Sequence, residues 1–139
     1  DMPAIVEAHG VSYIATASPG YPGDLYDKVC KARATEGTRY MHINAPCPAG
    51  WQFAPAETVA MAKCAVETGA FILSEIENGA YRLTGKSLAL AEKGGRRPVA
   101  EFFKQQGRFG LLTPEMTERV QVEVDKRWNA AVTRHNANT

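Results

Sequence analysis

Hydrophobic and polar positions in the first 45 residues predict four elements in the order helix, strand, helix, strand. Asp1 to His9 reads as a short helix, with Pro3 in a first turn, where its missing N–H costs nothing, and Gly10 as the stop. Val11 to Ala17 is mostly apolar and rich in β-formers, so a buried strand is expected. Ser18 to Gly23 is a loop of Pro and Gly, after which Asp24 is expected to cap a helix. Leu25, Val29 and Ala32 recur at helical spacing and predict its buried face, and Gly37 ends it. Tyr40 to Ala45 alternates, with Met41, Ile43 and Ala45 on one face and Tyr40, His42 and Asn44 on the other. A helix between two strands implies a parallel pair. Two parallel strands make a poor sheet, so a missing upstream part or a partner subunit is expected to complete it.

Pro46 to Ala54 reads as a second loop. Pro55 opens a helix with Val59, Ala62 and Val66 on one side, ending at Gly69. Ile72–Glu77 and Ala80–Thr84 flank Asn78-Gly79, a pair suited to the two positive φ angles of a type I′ turn, and a β-hairpin follows. Ser87 to Glu92 is weakly helical, Gly94 to Pro98 is a basic linker expected to be flexible, and Val99 to Gln106 is a short helix. Thr113-Pro114-Glu115 is a helix start of cap, N1 proline and acidic first turn. Met116, Val120, Val124, Trp128 and Ala131 or Val132 form the stripe of a long last helix, and the tail from Asn136 to Thr139 is expected to fray. The class is therefore α/β: parallel strands with a crossover helix, then a hairpin and C-terminal helices. Residues 1–54 and 55–139 are expected to form an α/β unit and its extension.

Composition narrows the function classes. The chain has 139 residues, 45% apolar and 22% charged, with a formal net charge of +1. These values suit a globular protein and leave no global field to attract nucleic acid or anionic lipid. No apolar run reaches the ~18 residues of a membrane span, and no signal peptide is visible. Three widely spaced cysteines imply no disulfide framework; reduced thiols and a cytoplasmic setting are expected. The chain opens on Asp1 rather than Met and enters a helix at once, so a segment of a longer polypeptide is expected.

The segment Ala45-Pro-Cys-Pro-Ala-Gly-Trp51 is the most unusual. It follows a strand directly, at the carboxyl end where ligands bind in open α/β sheets. Cys47, braced by two prolines, could be a nucleophile, a redox thiol, a metal ligand or a buried turn cysteine. Cys30 and Cys64 fall mid-helix and are expected to pack as small apolar groups. His9 suits a helix end, His42 a structural position on its strand, and Trp51 a shield or anchor for the loop. Arg96, Arg97, Lys104 and Arg108, interleaved with Phe102, Phe103 and Phe109, suggest a subunit contact or a solvated face rather than single-stranded nucleic acid.

Tyr13-Ile-Ala-Thr-Ala-Ser, Asp24-Leu25 through Lys28 and Ala32, and His42-Ile-Asn-Ala-Pro-Cys-Pro-Ala-Gly-Trp51 resemble the β subunit of 2-oxoacid:ferredoxin oxidoreductases, in particular the pyruvate synthase branch. Ala65-Val-Glu-Thr-Gly and Glu75-Ile-Glu-Asn-Gly79 also fit, and the tail fits more loosely. The resemblance implies the C-terminal part of a thiamine-diphosphate-binding fold. It implies thiamine pyrophosphate, Mg²⁺ and a proximal [4Fe–4S] cluster in the complete enzyme, with Cys47 as the late cluster ligand. The implied reaction is oxidative decarboxylation of a 2-oxoacid, pyruvate foremost, with coenzyme A to acyl-CoA, CO₂ and reduced ferredoxin. Implied partners are the rest of the β subunit, α, γ and δ type subunits and ferredoxin, with no nucleic acid and no membrane. No Cys-x-x-Cys pair and no Gly-Asp-Gly segment occurs, so the chain alone is expected to bind neither cofactor and to be inactive. A non-catalytic assembly module and a cluster-free thiamine-diphosphate enzyme are the competing readings.

Overall fold

The computed structural model describes residues 1–138; Thr139, the end of the tail expected to fray, lies outside them. One four-stranded sheet, ordered β2-β1-β3-β4, organises the chain. Its strands are β1 (Tyr13–Ala17), β2 (Arg39–Ile43), β3 (Ser74–Glu77) and β4 (Ala80–Leu83). β1 runs parallel to β2, pairing Tyr13 with Arg39 through Ala17 with Ile43. On its other side β1 pairs antiparallel with β3, Ile14 facing Ile76. Every residue of β1 is buried, as suits a central strand covered on both faces. The chain's own hairpin, rather than an upstream part or a partner subunit, supplies the second neighbour of β1, a correction to the expectation, because β3 pairs with β1 antiparallel and needs no crossover.

Strand alternation sorts the layers. Ile14, Ile76, Tyr81 and Leu83 form one core cluster, with Val6 of α1 (Met2–Glu7), Leu88 and Ala91 of α5 (Gly85–Lys93), and Ala131 and Val132 of α7 (Pro114–Asn136) packed against it. Tyr13 and Glu75 point to the opposite face, where α2 (Pro22–Ala34) lies. The second cluster is Met61, Cys64 and Ala65 of α4 (Thr58–Glu67) with Phe102 of α6 (Val99–Lys104), and Trp51, Phe53 and Phe71 at its margin.

Several local expectations need correction. α2 begins at Pro22, so Asp24 sits in its first turn rather than capping it. The face α2 buries is set by Lys28, 2% exposed, while Val29 is 47% exposed. The periodicity misled because the helix docks through an ion pair instead of an aliphatic stripe. Cys30 is exposed rather than packed, and Val59 faces solvent on α4 while Met61, Cys64 and Ala65 turn inward. The basic linker is tied down: Arg96 donates to the Thr68 carbonyl at 2.9 Å and pairs with Asp125, and Arg97 bridges Glu67 and Glu101. The stripe of α7 buries only from Val124 and Trp128 onward; Met116 remains half exposed.

The hairpin matches its sequence. Asn78 has φ 49° and Gly79 φ 82°, both in the left-handed region. Gly79→Ala meets no neighbouring atom, so its cost is the backbone term alone, about 1 kcal/mol. Chemical denaturation should show that loss with the unfolding slope unchanged.

Candidate functional site

Cys47 lies just beyond the carboxyl end of β2, where the Asn44 amide donates to the Ala17 carbonyl at 3.0 Å and keeps the two parallel strands in register to their ends. Pro46 is buried and Pro48 occupies the first position of α3 (Pro48–Trp51), a single helical turn inside the segment expected to be a loop. Proline at that position gives up no hydrogen bond and presets the helical φ, which is why a turn nucleates there. Cys47 is its N-cap, with its side chain accepting the Gly50 amide N–H at 3.4 Å. The thiol is exposed. Gln52 closes the turn with φ 60°.

A second segment braces the turn. The Gly107 amide donates to the Gln52 carbonyl at 3.0 Å. A Cβ on Gly107 would fall 2.8 Å from the Gln52 Cβ, so only glycine permits this approach. Trp51 packs edge-on against Phe102, ring centres 6.0 Å apart, and the Arg108 guanidinium lies over the Trp51 ring at 4.1 Å. Trp51 is therefore both anchor and platform. His42 packs edge-on against Phe71, ring centres 5.6 Å apart, and lines a cavity of 280 Å³ beneath α1 and α7. His9 is exposed after α1.

The three cysteines occupy different settings. Cys64 is buried in α4, and desolvation pushes its thiol up, away from reactivity. Cys30 lies on the outer face of α2. Among the described residues, Cys47 is the exposed cysteine whose sulfur accepts a backbone N–H, that of Gly50. Among the described residues no group of three or more His, Cys, Asp or Glu side chains could hold a metal. Cys47 therefore stands as a single exposed thiol at the carboxyl end of β2, with no second ligating side chain grouped with it among the described residues.

Periodicity missed a polar network on the α2 face of the sheet. Lys28 Nζ donates to the Thr16 carbonyl at 2.7 Å and to Asp24 at 2.6 Å. Tyr13 donates to Glu75 at 3.1 Å, and Lys31 pairs with the same carboxylate at 2.6 Å. Desolvation pushes Lys28 down and Tyr13 up, since burial disfavours both charged forms. Asp24 and Lys28, four residues apart, were the available signal.

No family model matches the chain. It is 47% identical over 125 residues to the pyruvate synthase subunit PorB of Methanothermobacter thermautotrophicus, covering 90% of this chain and 41% of that protein. It is 43% identical to the pyruvate synthase subunit PorB of Methanosarcina barkeri, covering 93% and 43%. It is 40% identical to the ketoisovalerate oxidoreductase subunit VorB of Pyrococcus abyssi, covering 89% and 39%. Over the stretch it matches, the chain belongs to the 2-oxoacid:ferredoxin oxidoreductase β-subunit family. The chain spans about two fifths of the length of these curated relatives. Among the described residues no helix is long and apolar enough to cross a membrane.

Proposed function

We propose that these residues form part of the catalytic β subunit of a 2-oxoacid:ferredoxin oxidoreductase. The reaction joins a 2-oxoacid and coenzyme A, releases CO₂ and a proton, and passes an electron pair to ferredoxin as the acyl thioester forms. The observation that carries the reading is the 47% identity to a pyruvate synthase subunit, and the exposed, amide-capped Cys47 agrees with it. Thiamine pyrophosphate with Mg²⁺ supplies the carbanion-stabilising chemistry, and an iron–sulfur cluster the one-electron exit. In this chain Cys47 would ligate the cluster through its thiolate, with the Gly50 amide donating to the sulfur and Trp51 holding the turn against α6. The remaining cluster ligands and the diphosphate site would come from outside the 139 residues, and the chain alone would take up neither cofactor.

Pyruvate is the proposed substrate, because the pyruvate synthase subunits of the two Methanothermobacter species stand at 47% and 46% identity and the Pyrococcus abyssi ketoisovalerate subunit at 40%. The test is an assembled complex containing this chain, assayed anaerobically for reduction of a low-potential dye. Reduction that requires both pyruvate and coenzyme A, and that exceeds the rate with a branched 2-oxoacid, is the expected result. Faster turnover of the branched acid would move the substrate to the other branch, and no 2-oxoacid-dependent reduction would reject the reading.

A further inference from the structure

Among the described residues two that are not glycine have a positive φ, Asn78 at 49° and Gln52 at 60°. Asparagine is favoured in that region, and Asn78 sits in a hairpin turn that requires it. Glutamine has no such preference, so Gln52 holds backbone strain, and it does so at the end of the Cys47 turn. Strain of this kind persists only where the surroundings impose it. The turn does not impose it alone, since no residue of α3 is buried.

What imposes it is a segment far along the chain. Phe102 is anchored in the second core cluster beside Met61 and Cys64. Gln106, 3% exposed, donates from its side-chain amide to the Phe102 carbonyl at 2.6 Å, which carries that anchor to Gly107. Gly107 opens a single 3-10 turn (Gly107–Phe109) and has no positive φ, so its own backbone suits any residue. Glycine is needed there for the sake of Gln52: an added Cβ would lie 2.8 Å from both the Cβ and the Oε1 of Gln52. The Oε1 can swing away, but the Cβ moves only with the Gln52 backbone. The bond from the Gly107 amide to the Gln52 carbonyl, 3.0 Å long, then holds that carbonyl in the direction a left-handed Gln52 gives it.

Through Gln52 this hold reaches the sulfur. The Phe53 amide donates to the Pro48 carbonyl at 3.2 Å, a bond that needs the chain turned back at Gln52. The Trp51 amide donates to the Cys47 carbonyl at 2.9 Å and the Gly50 amide to the Cys47 sulfur at 3.4 Å, so the sulfur belongs to the same closed unit. A Gln52 released to an ordinary φ would swing Phe53 off Pro48 and open the turn. We infer that Gly107 is a positioning residue for the Cys47 thiol: by admitting Gln52 in its strained left-handed conformation, it fixes the place of the sulfur relative to the core. Its bearing on electron transfer rests on the reading of Cys47 as a cluster ligand.

The test uses the assembled complex. Gly107→Ala should lower the rate of dye reduction about tenfold, the lower end of what losing the support of a metal ligand costs, with KM for the 2-oxoacid and for coenzyme A unchanged. The electron paramagnetic resonance spectrum of the reduced cluster should shift, and the backbone amides of 47–53 should exchange faster with solvent. Gln52→Gly, added to Gly107→Ala, removes the Cβ that would be struck and lets the positive φ stand without strain. Rate, spectrum and exchange should then return most of the way to their original values. An unchanged spectrum and unchanged exchange in Gly107→Ala would overturn the inference. So would a loss, of assembly or of rate, that Gln52→Gly leaves uncorrected. A lower melting temperature with an unaltered spectrum would make Gly107 a structural residue only and also reject it. Cys47→Ala separates this inference from the reading beneath it. Full iron in Cys47→Ala would reject the ligand reading, and this inference with it. Iron lost in Cys47→Ala, with the spectrum kept in Gly107→Ala, would reject this inference alone.

Discussion

Cys47→Ala in the assembled oxidoreductase is expected to lose the iron of one cluster and to lower acceptor reduction by about 100-fold or more, since even residues that only support a metal ligand cost 10–100-fold when removed. Cys47→Ser separates the two duties of the residue. A serine hydroxyl accepts an amide N–H at a helix N-cap at least as well as sulfur does, so the α3 turn should keep its stability. The hydroxyl is not a thiolate, so iron should still be lost. Cys30→Ala should change neither, because Cys30 is exposed and away from the core. Cys64→Ala removes a buried sulfur and should cost about 1 kcal/mol of stability with normal iron content. Iron analysis, cluster absorbance and acceptor reduction on the four variants decide the matter. Full iron in Cys47→Ser, or loss confined to Cys30→Ala or Cys64→Ala, would place the ligand elsewhere.

What could be read from the residues was whatever rests on local rules. The Asn78-Gly79 hairpin, the Thr113-Pro114 start of α7 and the parallel pairing of β1 with β2 follow from turn chemistry, capping and alternation, and all three stand in the structure. Cys47 stood out because two prolines around a cysteine after a strand leave few conformations. The partner of β1 was not legible, since nothing local says that a hairpin sixty residues later docks on that strand rather than apart from it. The Arg96 and Arg97 segment read as flexible for a similar reason: its anchors Asp125 and Glu67 lie 29 and 30 residues away. Arg108 read as one of several charges, because the stacking that distinguishes it needs Trp51 from another segment. The burial of Lys28 defeated periodicity outright. A hydrophobic pattern treats lysine as a solvent-facing residue, and only the carbonyl of Thr16 and the carboxylate of Asp24 make its burial tolerable.

That burial sets the second large effect. Lys28 is 2% exposed and the Asp24 side chain 10%, so the pair is largely shielded from water. Lys28→Met keeps the length and apolar stem but removes the charge and both hydrogen bonds. Asp24 is then left as a buried carboxylate without a counter-charge, and the Thr16 carbonyl loses a donor. Breaking a buried pair from one side costs about 3–5 kcal/mol, which is a large share of the stability of a single domain. Arg97→Met makes the comparison, since Arg97 and Glu101 are each more than a third exposed and its other partner Glu67 keeps the Tyr21 hydroxyl as a donor; the expected loss is about 1 kcal/mol. Asp24→Leu combined with Lys28→Met should restore much of the loss, because the cost lies in the orphaned carboxylate rather than in the missing attraction. Urea midpoints of the single and double variants supply the coupling energy directly. A Lys28→Met midpoint no lower than that of Arg97→Met would mean that water reaches Asp24. The consequence runs on to the site: Lys28 grips the Thr16 carbonyl, and the next carbonyl, that of Ala17, accepts the Asn44 amide three residues before Cys47. Loosening the end of β1 should therefore expose the backbone amides of 44–52 to hydrogen exchange before those of the hairpin, which β3 and β4 hold by their own ladder.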